Sequence, residues 1–292
     1  MNRPRPIDLP LSLPGFFNFF SSWAMQIDNE WVVVDPGCSA TISRLKEELQ
    51  AKGCSQIDHL LLTHIHLDHA GGTGLLVEEF GVSEVVCHEK AIPHLANPSD
   101  LWAGSVKTLG DLAEIQGEPK PVPSTILKSN ISHVGGVPLT IFPSPGHAPH
   151  HISFLFSNML FVGEALGVII PEYAPNYLRP ATPHRFILEP YLNSIERLRA
   201  VPCEWLCFGH FGAIRRSAEI FDRAYNQINL WIKLVADFYH PPKVSLKEFI
   251  YILTKNDPMF APYLTLPESL QMREQRFVEN SINGILNFIR TD

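Results

Sequence analysis

Apolar positions, many of them β-branched or aromatic, run throughout GFFNFFSSWAMQIDNEWVVVDPG (15–37) and predict two strands around a turn at Asp28–Asn29. The next stretch, SATISRLKEELQAKG (39–53), switches period: Ile42, Leu45 and Leu49 fall on one helical stripe and Gly53 closes it. IDHLLLTH (57–64) is a short apolar run, the pattern of a strand buried on both faces. Residues 70–80 read as helix and SEVVCHE (83–89) as strand, before a proline-bearing middle (90–130) that reads as loop. Strands return at 139–147, 151–158 and 159–164, followed by a helix over 189–201 and a last strand over 204–210. Two β-rich halves, each with helices, predict sheets packed face to face with helices outside.

From Ala213 the pattern becomes helical throughout. Phe221, Ala224, Tyr225, Ile228, Trp231, Ile232, Val235 and Phe238 recur at helical spacing. Ser245 with Glu248 three residues on is a capping-box start, and Val278, Ile282, Ile285, Leu286 and Ile289 mark a final stripe. The expected organisation is a main domain over 1–213 and an all-helical extension over 214–292. Packing on the main domain is the plain reading of those stripes, with a homodimer contact or a lid as alternatives.

Composition narrows the function classes. The 292 residues are 45% hydrophobic and 18% charged, as in an ordinary globular chain. A net charge of −7, with only Arg215–Arg216 and Arg3/Arg5 as basic pairs, argues against a nucleic-acid partner. The five cysteines are odd in number and show no CxxC spacing, which predicts buried reduced thiols. Pro10 and Pro14 interrupt the apolar N-terminal residues, and no window is apolar enough for a membrane span. The expectation is a cytoplasmic protein acting on a small molecule, with no membrane partner.

The chemistry concentrates in LLLTHIHLDHAGG (60–72), where an apolar run delivers His64, His66, Asp68 and His69 before Gly71–Gly72. In an extended segment His64 and His66 point the same way, while Asp68 and His69 follow the turn and can face a second position. Neutral imidazole is the commonest protein ligand for a borderline ion such as Zn²⁺. A solvated loop would not need four ligand-type side chains in six residues.

THIHLDHAGG resembles the HxHxDH signature of the metallo-β-lactamase superfamily, and the resemblance continues in order through VVVDPG (32–37), PSPGHAPHH (143–151), FVGEALG (161–167) and FGHFG (208–212). It covers about residues 1–213 and implies an α/β (α+β) αββα sandwich with metals at one edge between the sheets. Carried over by position, His64, His66 and His147 would hold one divalent ion, Asp68, His69 and His210 a second, and Glu164 would bridge them. The implied cofactors are two ions, zinc first, iron or manganese as alternatives. The implied reaction is hydrolysis, with two Lewis acids sharing and acidifying a water and Asp68 both ligating and accepting a hydrogen bond.

Glu164 departs from the family, which usually has Asp there; one further methylene lengthens its reach by roughly 1.5 Å. Asp35, at a strand end, and His150 and His151, after the His147 stretch, are candidates to support the ligands. In the loop 167–184, Tyr173 or Tyr177 is positioned to donate to a substrate oxygen and Arg179 to pair with a carboxylate, with loop packing as the alternative; Trp102 would wall the pocket. The expected activity is cleavage of an ester-type bond (thioester, lactone or carboxylic ester) in a small organic substrate. A diiron redox protein, or a metal-containing regulatory protein using the tail as contact surface, are the alternatives on the same ligands.

Overall fold

A computed structural model describes residues 3–291. One sheet contains β1 (Ile7–Asp8), β2 (Ser21–Ile27), β3 (Glu30–Val34), β4 (Ile57–Leu61), β5 (Val82–Val86) and β6 (Leu127–Lys128), adjacent in that order. β1–β3 pair antiparallel, and β3 to β6 pair parallel. A small hairpin, β7 (His133–Val134) with β8 (Val137–Pro138), leads to a second sheet. That sheet is built from β9 (Thr140–Pro143), β10 (Ile152–Phe156), β11 (Met159–Gly163), β14 (Trp205–Phe208) and β15 (Ala213–Arg215), in the order β15-β14-β11-β10-β9. Between β11 and β14 lies a separate hairpin, β12 (Val168–Ile170) with β13 (Ala174–Arg179), in the stretch expected to be loop.

Side-chain alternation sorts these strands into layers. On β3, Val32 and Val34 face the second sheet while Val33 faces helices; on β11, Met159 and Phe161 face the first sheet while Leu160 and Val162 face outward. The middle layer therefore joins Val32, Val34, Leu61 and Val86 to Phe154, Phe156, Phe161 and Trp205. α1 (Ile42–Ala51) buries Ile42, Leu45 and Leu49 on the outer face of the first sheet, and α7 (Leu188–Arg199) buries Tyr191, Ile195 and Leu198 on that of the second. The result is helix, sheet, sheet, helix.

Several elements differ from the sequence reading. Phe16–Phe20 is irregular rather than strand, with Asn18 at φ 47°. The helix read over 70–80 divides into α2 (Leu67–Ala70) and α3 (Thr73–Phe80). The middle holds α4 (Ile92–Ala96), α5 (Ser99–Leu109) and α6 (Asp111–Gln116). α5 buries none of its residues, so its pattern carries little helical contrast, and Trp102 is half-buried on it. All five cysteines are free and four are buried. No helix among the described residues is long and apolar enough to cross a membrane.

The tail forms α8 (Ala218–Phe238), α9 (Leu246–Asn256) and α10 (Glu268–Thr291). The α9 capping box is present, with Ser245 Oγ accepting from the Glu248 N–H. α10 begins ten residues before the stripe that announced it, and these ten carry Arg273 and Glu274. Phe221, Trp231, Phe249, Val278 and Ile282 share one apolar cluster with Leu160, Val162 and Phe208 of the second sheet. A buried ionic knot ties α10 to β13: Glu274 accepts from Tyr177 Oη (2.6 Å), Arg179 Nε (2.6 Å) and Arg273 Nε (3.0 Å).

Burial pushes the Glu274 carboxyl up, but Arg179 and Arg273 outweigh it and hold the group at about 2. Because the folded value lies below the unfolded one, the carboxylate's contribution is complete above about 4.5 and is lost as pH falls through about 2. Glu274→Gln, which strands two buried guanidinium groups, is expected to cost about 3–5 kcal/mol near neutral pH. Urea unfolding of the two proteins should show that difference shrinking between about pH 4.5 and 2; a constant gap would deny the ion pair its role.

Candidate metal centre

β4 and β11 both run toward one edge of the sandwich, and the chain leaves each there with ligand-type side chains. Beyond β4, residues 62–66 belong to no helix or strand, and His66, itself extended, caps the start of α2, with Asp68 and His69 inside that short helix. His147 precedes β10, Glu164 follows β11, and His210 follows β14. Two groups result, His64/His66/His147/Glu164 and Asp68/His69/His210, the ligand atoms in each lying within 4.8 Å of one another.

Glu164 stands between them. Its Oε2 is 2.9 Å from His147 Nε2, 3.4 Å from His64 Nε2 and 3.5 Å from His69 Nε2, and its Oε1 is 3.2 Å from His210 Nε2. His66 Nδ1 lies 3.0 Å from His64 Nε2 and 2.9 Å from His147 Nε2. Asp68 Oδ2 is 3.7 Å from His69 Nε2 and 3.8 Å from His210 Nε2. Tetrahedral ligands at bond lengths of about 2.0–2.2 Å are separated by roughly 3.3–3.6 Å, so these spacings suit donors around a shared cation.

The outer nitrogens of His64, His69 and His147 are held by defined partners. Asp35 Oδ1 and Oδ2 accept from the Thr63 N–H (2.8 Å) and hydroxyl (2.7 Å), and Oδ2 also meets His69 Nδ1 at 3.0 Å. With its hydroxyl proton given to Asp35, Thr63 Oγ1 accepts from His64 Nδ1 at 3.0 Å, which leaves His64 Nε2 as the inward acceptor. His147 Nδ1 donates to the Ala181 carbonyl at 2.9 Å. Each arrangement fixes the ring tautomer that a metal ligand requires.

A bulge precedes Glu164. The β11–β14 register shifts between Phe161 and Gly163, and Gly163 sits at φ 53°, where a Cβ would meet His151 Nε2 at 2.4 Å. The His151 Nε2 accepts the Glu164 N–H at 3.1 Å, and its Nδ1 is tied to Ser144 Oγ at 2.9 Å. His151 thus sets the backbone from which the carboxylate extends.

The donor set fits divalent cations. Burial, then the neighbouring imidazoles, lowers His64 well below its usual value and His66 to about 4, so both are neutral donors. At His69 burial pulls down, but Asp68, Asp35 and Glu164 together lift it well above the usual histidine value. Burial alone would raise Glu164, yet His147 and His210 hold it well below the usual carboxylate range. His69 Nε2 is also buried with no hydrogen-bond partner among the described residues. Carboxylates calling for positive charge beside an unpartnered inward nitrogen are what a bound cation would satisfy.

The remaining candidates go elsewhere. Tyr177 and Arg179 do not face a substrate: both are buried and committed to Glu274, a partner about a hundred residues away that no local pattern announced. Tyr173 is exposed, its ring edge-on to Phe17 at 6.2 Å. His150 is half-buried with its ring 6.2 Å from that of His66. Thr63 and Ser144 lie within the ligand stretches, but nothing in their spacing marks them as the partners of His64 and His151.

Four layers with a nitrogen–oxygen donor set at the sheets' edge define an αββα metal-binding protein. Residues 18–210 match the model of the Metallo-beta-lactamase superfamily, and the chain belongs to it. A probable metallo-hydrolase of Methanocaldococcus jannaschii is 28% identical over 156 residues, 53% of this chain and 71% of that protein. A hydroxyacylglutathione hydrolase of Idiomarina loihiensis is 24% identical over 268 residues, 91% of this chain and 81% of that one. The solved structure of an archaeal superfamily protein from Sulfolobus tokodaii superposes with TM-score 0.70 at 19% identity, covering 97% of this chain and 98% of that one.

Asp35→Asn keeps a side chain suited to the positive φ of 52° but loses the carboxylate that orders Thr63 and His69. Its zinc affinity, measured by competition with a chromophoric chelator, is expected to fall roughly 10–100-fold. Unchanged affinity would show that the ligands need no such support.

Proposed function

We propose that the chain is a dinuclear metal-dependent hydrolase, zinc being the first choice of ion, that cleaves an ester-type bond of a small organic substrate, with thioesters ahead of lactones and carboxylic esters. The observation that carries the reading is the Glu164 carboxylate, which touches donors of both groups at 2.9–3.5 Å. His64, His66 and His147 would hold one ion and Asp68, His69 and His210 the other, with Glu164 bridging. When bound, two such ions supply Lewis acidity and lower the pKa of water toward about 7.

The chain's own residues complete the chemistry. The Asp68 side chain, 14% exposed, is the most accessible of the second group, and its Oδ2 is the acceptor for the proton of the attacking water. His151 and the Gly163 bulge fix Glu164, while Asp35 and Thr63 fix His64 and His69, so the donors need not reorganise during turnover. The thioester preference draws on the resemblance to hydroxyacylglutathione hydrolases, several of which match about half of this chain at 27–29% identity.

The test is metal analysis of protein purified without added zinc, joined to a panel of S-acyl glutathiones, acyl-homoserine lactones and aryl esters. Nearly two zinc ions per chain are expected, with thioester turnover abolished by chelation and reduced in His66→Ala to the level of the stripped protein. Turnover equal in His66→Ala and the unmutated chain would refute the enzyme reading, and two irons with visible absorption would favour the redox alternative. Glu164→Asp should change metal content only modestly, since the shorter side chain retains the carboxylate.

A further inference from the structure

His64, His69 and His147 each have an outer ring nitrogen tied to oxygen, whereas the buried Nδ1 of His210 has no hydrogen-bond partner among the described residues. Its ring is held differently. Phe19 stacks on it with centroids 4.2 Å apart and planes 16° from parallel. The Arg273 guanidinium lies 4.0 Å from the Phe19 centroid, and two groups this close cannot share one ring face, so Phe19 is sandwiched between the cation and the imidazole.

We infer that Phe19, backed by Arg273 of α10, is the positioning residue for His210 and so for the second ion; this rests on the two-ion reading above. A stacked imidazole cannot turn about its Cβ–Cγ bond without driving an edge into Phe19. Phe19 cannot retreat, because Arg273 is anchored by Nη1 to the Gly15 carbonyl (2.8 Å) and by Nε to Glu274 (3.0 Å). The backbones are joined too, with the Phe211 N–H on the Phe19 carbonyl at 2.9 Å and a bridge between Phe20 and His210. Gly15 presses so closely on α10 that a Cβ there would lie 2.2 Å from the Ser269 carbonyl oxygen. The N-terminal loop and the last helix together replace the hydrogen bond that usually orients a ligating histidine.

The experiment compares zinc binding, by chelator competition and by stoichiometry after dialysis, in the unmutated chain, Phe19→Leu, Phe19→Tyr and Phe16→Leu. Phe16 is the control: it is buried in the same aromatic cluster, 5.9 Å from Phe19, and one ring removed from His210. Thermal midpoints of the metal-free proteins report packing damage separately. Phe19→Leu is expected to weaken one zinc equivalent roughly tenfold and leave the other unchanged. Phe19→Tyr should restore the affinity, and Phe16→Leu should lower the midpoint without touching either equivalent. Two equivalents at undiminished affinity in Phe19→Leu would overturn this inference alone. So would equal loss of both equivalents, or the same selective loss in Phe16→Leu. A single equivalent in the unmutated chain would overturn the two-ion reading and this inference with it.

Discussion

The carboxylate of Asp35 is the constraint on which the site depends. It stands just past β3, buried at the level where β4 ends, and takes two donors from Thr63 and one from His69. A buried carboxylate is tolerable only when so satisfied, and here each bond also does geometric work. Through His69 it orients a member of one donor group, and through the Thr63 hydroxyl it orients His64 of the other. Two adjacent parallel strands thereby deliver both halves of the centre in fixed relation.

Charge is segregated around this arrangement. The sandwich interior is aliphatic and aromatic, while imidazoles and carboxylates gather at one edge. Behind that edge lies the ionic knot of Arg179, Arg273, Glu274 and Tyr177, whose members are each nearly or wholly buried. Arg273 in the knot faces the Phe19 ring, and Arg179 of β13 lies near enough to Glu164 to interact with its charge. The helical tail therefore covers the second sheet's outer apolar face and, through Glu274 and Arg273, holds Arg179 and Phe19 in place beside the ligands.

What was legible in the sequence was local. Val32–Val34 and Leu60–Leu61 announce buried strands by composition, Ser245 and Glu248 announce a helix start, and His64 to His69 announce a metal site because their spacing alone brings them together. The features that escaped notice depend on partners remote in the chain. Tyr177 and Arg179 looked available for substrate because Glu274, which claims both, is 97 and 95 residues away. Phe16–Phe20 has a strand's composition, yet it is held irregular by contacts with α10 and the loop after β14. α5 escaped because a helix that buries no residue leaves no stripe to read.

The span between Gly15 and Arg273 has a consequence for the order of events in the cell. These residues, hydrogen-bonded in the folded protein, lie 258 positions apart. At translation rates of about 5–20 residues per second, the loop bearing Phe19 waits roughly 13 to 50 seconds for the helix that will hold it. Every candidate ligand, up to His210, has been made well before then. A nascent chain halted before Arg273 would possess every candidate ligand and yet lack the cation packed against Phe19, so the surroundings of His210 are completed by the emergence of α10 rather than by the arrival of His210 itself.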